Sequence, residues 1–222
     1  MDKPAITIFG SSTAYFSFSK PPGKSYVDML KDTAYEVRPY CMNGYTIWHA
    51  NYILPNLLNY RGRDNWVILH VGASETMTMK ASNFLELSSY WLNYGVVDHY
   101  FMTFIAPKIQ RASLAVNAGR EEFFSLLTPP EFHILYDKML NHLYQYRVLA
   151  VGMSNPNVNS DIRKEQAADI DSIIRGCCVD HPWAEYVDAW NLCAGEIVDS
   201  NHLTDKGHSI LYDAMMEKIS NG

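Results

Sequence analysis

Apolar positions along this chain fall into two kinds of segment. Some are short unbroken runs that stop at glycine or a turn cluster. Others recur every three or four residues over longer stretches. Ala5 to Phe9 (AITIF) and Trp66 to Val71 (WVILHV) are of the first kind, and each is followed by a glycine. Such runs predict strands buried on both faces. Tyr35 to Tyr40 (YEVRPY) predicts another strand, with Pro39 marking its end or a sheet edge. Arg147 to Val151 and Glu185 to Ala189 complete the strand set. Between them, helical period covers Ser25 to Asp32, Ile47 to Tyr60, Asp161 to Cys177 and Thr204 to Ser220. Pro55 implies a kink or break in the second of these, and Thr204 is the expected cap of the last. This alternation predicts a parallel sheet of four or five strands with helices on both faces.

From Glu75 to Tyr146 the pattern changes. Apolar residues recur at helical spacing, and Pro107 and the Pro129-Pro130 pair divide the stretch into three helices, roughly Ala81 to Tyr94, His99 to Asn117 and Pro130 to Tyr146. The expectation is one domain over residues 1–222, with a helical elaboration at about 76–146 inserted between the third and fourth strands. Many aromatic residues fall here. They suit a lid, an acyl pocket, a contact between copies of the chain, or a cover that only completes the core.

Composition narrows the function classes. Hydrophobic residues make up 48% of the 222 residues and charged residues 19%, which fits a globular chain with a large core. The formal net charge is -6, and the charges are scattered with no basic stripe, which argues against a nucleic-acid partner. No apolar run approaches the ~18 residues of a membrane helix. The opening Met-Asp-Lys-Pro runs straight into a strand, so a cytoplasmic location without membrane attachment is the default expectation. Four cysteines, Cys41, Cys177, Cys178 and Cys193, match neither a zinc motif nor a disulfide framework and are expected to be reduced.

In a doubly wound sheet, ligands bind beyond the carboxyl ends of the strands. The loops leaving those ends hold Gly10-Ser11-Ser12, Asn43-Gly44, Gly72-Ala73-Ser74 and the segment DSNHLTDKGH from Asp199 to His208. A serine hydroxyl becomes a nucleophile when a base takes its proton and a carboxylate orients that base. An Asp three residues before a His can reach the same imidazole. Backbone N–H groups at glycine-containing strand ends suit a developing oxyanion. Taken singly, each piece also fits a plain turn or strand terminator.

Taken together and in this order, the pieces resemble the SGNH (GDSL-type) hydrolase superfamily. Gly10-Ser11-Ser12 stands where the family has Gly-Asp-Ser, and Gly44 matches the second-block glycine. Gly72-Ala73-Ser74-Glu75 matches Gly-x-Asn-Asp, and Asp199-Ser200-Asn201-His202 matches Asp-x-x-His. The resemblance implies a three-layer α/β/α sandwich of flavodoxin-like type and a serine esterase or deacylase working through an acyl-enzyme. Its catalytic residues would be Ser12, His202 and Asp199. The oxyanion hole would be the N–H groups of Ser12 and Gly44 with the side chain of Ser74. No metal or cofactor is implied, and the substrate would be a small-molecule or carbohydrate ester.

Two positions depart from the family. Ser11 replaces an Asp that does no chemistry. Ser74 replaces the Asn whose amide donates to the oxyanion, and a lost donor of that kind typically costs about 2.7–4 kcal/mol. Asn43, Thr13 and Asn155 are candidate substitutes. Acyl transfer with the same triad is one alternative, and a non-catalytic binding protein on the same fold is another. A metal site at Asp199, His202, Asp205 and His208 is a weaker reading, because a helix start already explains Thr204, Asp205 and His208. Cys177 and Cys178 are expected in the core, and Lys108 and Arg111 in solvent.

Overall fold

The computed structural model describes residues 3–15, 23–61, 66–75, 78–93, 99–156, 161–198 and 202–221. Five parallel strands form the central sheet: β1 (Ala5–Gly10), β2 (Glu36–Cys41), β3 (Trp66–His70), β6 (Arg147–Val151) and β7 (Ala184–Val187), in the order β2-β1-β3-β6-β7. Strands β4 (Thr78–Lys80) and β5 (Phe123–Ser125) form a separate antiparallel ribbon. The helices are α1 (Ser12–Tyr15), α2 (Tyr26–Lys31), α3 (Ile47–Arg61), α4 (Ala81–Asn93), α5 (Ala106–Asn117), α6 (Pro129–His142), α7 (Asp161–Asp180), α8 (Ala189–Leu192) and α9 (Asp205–Asn221), with a π-helical turn at Phe101–Ile105 leading into α5.

The period of two within the buried strands divides the core. Ile6, Ile8 and Ile68 face one side, against Tyr26 and Leu30 of α2 and Leu211 and Met215 of α9. Phe9, Val67 and Leu69 face the other, against α3, α6 and α7. Pro39 lies in β2, an edge strand, where a missing N–H interrupts no ladder on its open side. Pro55 lies inside α3, which continues to Arg61, so of the expected kink or break the break does not occur.

The elaboration is mostly helical, with two differences from expectation. Phe123–Ser125 forms strand β5, which pairs with β4 and not with the central sheet. The ribbon covers a small core of its own with Phe84 of α4 and Ala112 and Ala115 of α5. Lys108, expected in solvent, is instead mostly buried: its ammonium lies 2.5 Å from Glu131 and donates to the Leu126 carbonyl. This pair joins α5 to the start of α6, where Glu131 also accepts from the Thr128 N–H. Arg111 is exposed, over the Phe124 ring. Cys177 is buried and Cys178 half-buried. Among the described residues no helix is long and apolar enough to cross a membrane.

Sheet register sets where a site can form. Gly10 of β1 lies opposite both Cys41 of β2 and His70 of β3. The three strands therefore end level, and the loops that follow them leave from one rim.

Candidate active site

The turn after β1 is built on close approach. A Cβ at Gly10 would lie 2.7 Å from the Ala14 side chain and 3.2 Å from the His70 carbonyl, so only glycine lets α1 fold back over the strand end. Ser11 N–H donates to the His70 carbonyl, and its carbonyl accepts from Ala14 N–H. The Ser11 side chain is fully buried, 2.8 Å from the Thr13 hydroxyl. Ser12 makes a different contact and is 9% exposed.

His202 reaches Ser12 from the far end of the chain. Its Nε2 lies 2.9 Å from Ser12 Oγ across a separation of 190 residues. The described residues on either side of 199–201 pair with each other. Val198 N–H donates to the His202 carbonyl, Thr204 N–H donates to the Glu196 carbonyl, and Ile197 bridges to Leu203. At the base of this pairing the Thr204 hydroxyl donates to Glu196 and accepts from Gly207 N–H, which caps α9. Asp199 lies outside the described residues. His208 is buried in the core against the Tyr26 ring.

The two remaining loops stand beside this pair. Met42 N–H donates to the Gly10 carbonyl, and Tyr45 N–H closes a turn onto Met42 that contains Gly44 at φ +73. Tyr45 stacks on Phe9 at 5.1 Å and on His49 at 5.0 Å. After β3, Glu75 N–H closes a turn onto the Gly72 carbonyl that contains Ser74. Gly72 adopts φ +122, a conformation closed to residues with a side chain. Of the candidate substitute donors, Thr13 already shares a hydrogen bond with Ser11. Asn43 is exposed, and Asn155 lines an open cleft of about 280 Å³ with Pro156, Gly195 and Ile197.

Glu75 is fully buried. One carboxylate oxygen accepts from Ile47 N–H at 2.5 Å and the other from Gly72 N–H at 3.0 Å. Burial pushes its carboxyl up to about 7, against the opposing pull of those backbone donors. Sequence reasoning finds a carboxylate at the last position of the third block and assigns it no task, because its partner at the start of α3 is 28 residues away. Beneath the rim, the His70 imidazole lies 3.0 Å from the Tyr26 hydroxyl. Burial pulls His70 down to about 3 and raises Tyr26 well above its ordinary range, so both stay neutral near pH 7.

No family model matches the chain, and no curated protein matches it in sequence. Solved structures do match in fold. A carbohydrate acetylesterase from Sinorhizobium meliloti, Est24, is 14% identical with a TM-score of 0.64, covering 99% of each chain. A lipase/acylhydrolase from Enterococcus faecalis is 13% identical with a TM-score of 0.65, covering 98% of this chain and 96% of its own. A member of the lipolytic protein G-D-S-L family from Veillonella parvula DSM 2008 is 9% identical with a TM-score of 0.62, covering 97% and 98%. A central parallel sheet flanked by helices, shared with these structures over nearly the full length of each chain, gives this protein the α/β fold of the SGNH (GDSL-type) hydrolases.

Proposed function

We propose that the protein cleaves esters through an acyl-enzyme formed on Ser12. The observation that carries this reading is the 2.9 Å approach of His202 Nε2 to Ser12 Oγ on the rim where ligands of such sheets bind. Ser12 Oγ attacks the acyl carbonyl as His202 Nε2 takes its proton, and Asp199 orients the imidazole from its other nitrogen. The tetrahedral oxyanion is held by the N–H groups of Ser12 and Gly44 and by the Ser74 hydroxyl. Collapse expels the alcohol with the proton from His202, and water repeats the sequence to release the acid. Solved structures of the same fold include a carbohydrate acetylesterase and a lipase/acylhydrolase, which supports a small-molecule or carbohydrate ester as the substrate class.

The test is a serine-directed phosphonate with mass mapping, alongside turnover of an aryl acetate. Wild type should be labelled at Ser12, Ser12→Ala should neither label nor turn over, and His202→Ala should slow labelling sharply. Ser11→Ala should keep the chemistry and lose about 1–3 kcal/mol of stability, the range for a buried hydrogen bond. Labelling at Ser11, or undiminished labelling of His202→Ala, overturns the assignment. Product appearing only when an alcohol acceptor is added points to acyl transfer. Ser74 in place of an amide is the feature that favours a non-catalytic protein, and complete absence of labelling and turnover supports that reading.

A further inference from the structure

We propose that Glu75 is a positioning residue for this reaction, setting the gap between the two loops that carry the Gly44 and Ser74 donors. The inference rests on the ester-cleaving reading above.

Glu75 is the last residue of the turn that holds Ser74, and its carboxylate makes two bonds that point in different directions along the rim. One holds Gly72 N–H, at the start of its own turn. The other holds Ile47 N–H, the first N–H of α3, just beyond the turn that contains Gly44. That end of α3 is otherwise held by Thr46, whose hydroxyl accepts from His49 N–H and whose N–H donates to His49 Nδ1. The α3 N-terminus offers four N–H groups without helical partners and a partial positive charge, and a carboxylate satisfies both. Gly72 opens one loop and Ile47 begins the helix that follows the other, so a single side chain bonded to both fixes their separation. Among the described residues its partners are backbone N–H groups.

The requirement is geometric, and the conservative variants separate its parts. Glu75→Gln keeps the length but sets an N–H₂ group against one of two N–H donors, so one loop must move away. Glu75→Asp keeps the charge but is one methylene shorter, so it cannot hold both donors. A displaced oxyanion donor acts only in the transition state, so each variant should lower kcat with KM nearly unchanged.

Turnover of the aryl acetate and phosphonate labelling at Ser12 are measured for wild type, Glu75→Gln, Glu75→Asp, Ser74→Ala and Ser74→Ala/Glu75→Gln, with circular dichroism and thermal melts reporting folding. Glu75→Gln should lower kcat about 10- to 100-fold, less than or at most equal to the roughly 10²–10³ that removing one oxyanion donor outright costs. In the Ser74→Ala background the same change should cost clearly less than in wild type, because the part of its effect that runs through the Ser74 donor is already gone. Should Glu75→Gln fail to fold, Glu75→Asp carries the same comparison. A folded variant with wild-type kcat overturns the inference, as does a full additive loss in the double variant. Absence of turnover and of Ser12 label in wild type overturns the ester-cleaving reading and this inference with it. An active wild type with an unaffected Glu75→Gln overturns this inference alone.

Discussion

Two loops at the rim of the sheet are each pinned by an acidic side chain, and the two pins differ in kind. After β3, Glu75 holds Gly72 N–H and Ile47 N–H and is fully buried. After β6, Asp171 of α7 holds Met153 N–H at 2.9 Å and accepts the Tyr186 hydroxyl on both oxygens, at 2.8 and 2.9 Å. Arg175 stands 3.4 Å from Asp171 and 4.8 Å from the centre of the Tyr186 ring. Burial raises both carboxyls. For Asp171 the phenol, a backbone donor and a guanidinium oppose the rise, whereas Glu75 is opposed by backbone N–H groups alone. The contrast teaches that the more deeply buried carboxylate carries the larger desolvation burden, and that one held by two backbone N–H groups strands more buried donors when removed.

The largest expected effect breaks the comparison by truncation. Glu75→Ala strands two buried backbone donors and should cost about 2–6 kcal/mol of unfolding free energy. Asp171→Ala strands one, Met153 N–H, since Tyr186 and Arg175 reach solvent, and should cost about 1–3 kcal/mol. Urea titrations read both values, and equal losses would remove the distinction.

The second test uses pH. A carboxyl whose folded pKa is raised contributes stability that is fully present below its unfolded value and lost as pH rises through the folded value. For Glu75 the window runs from 4.5 to about 7. The stability of wild type relative to Glu75→Gln should therefore fall by roughly 3 kcal/mol across that window, at about 1.36 kcal/mol per unit. His49 and His70, which burial pulls down to about 4 and about 3, titrate alike in both proteins and cancel. Wild type relative to Asp171→Asn should fall in the same direction with smaller amplitude. A rise with pH in either comparison would mean that the hydrogen bonds outweigh burial at that carboxyl.

The smallest effect sharpens the Asp171 side. Tyr186→Phe removes one donor from a carboxylate that keeps two others and should cost about 1 kcal/mol. Aryl acetate turnover should be unchanged, because Asp171 still holds Met153 N–H and keeps the β6 loop in place. A loss of turnover comparable to that of Glu75→Gln would place the β6 loop in the same machinery.

The sheet is legible in the sequence because its inner strands are apolar on both faces. AITIF and WVILHV leave no other burial solution, and the glycines after them mark the rim. The ribbon is not legible, because TMK and FFS are too short to show alternation. Ser12 and His202 stand out through spacing within their own loops. Glu75 and Asp171 do not, since a lone acidic residue in a turn or on a helix normally meets water. What buries each of them is a distant element, α3 in one case and the β6–β7 edge in the other. Lys108 is hidden for the same reason: Glu131, on the next helix, holds it.

The separation of 190 residues between Ser12 and His202 has a kinetic consequence. Their contact closes only after the parallel strands between them have found their neighbours, and such long-range pairing forms slowly. A refolding chain should thus regain helix content well before it regains the Ser12–His202 contact. On the ester-cleaving reading proposed above, reactivity at Ser12 would be a clock for the last stage of folding, and a nascent chain that ends before His202 would carry a chemically silent serine.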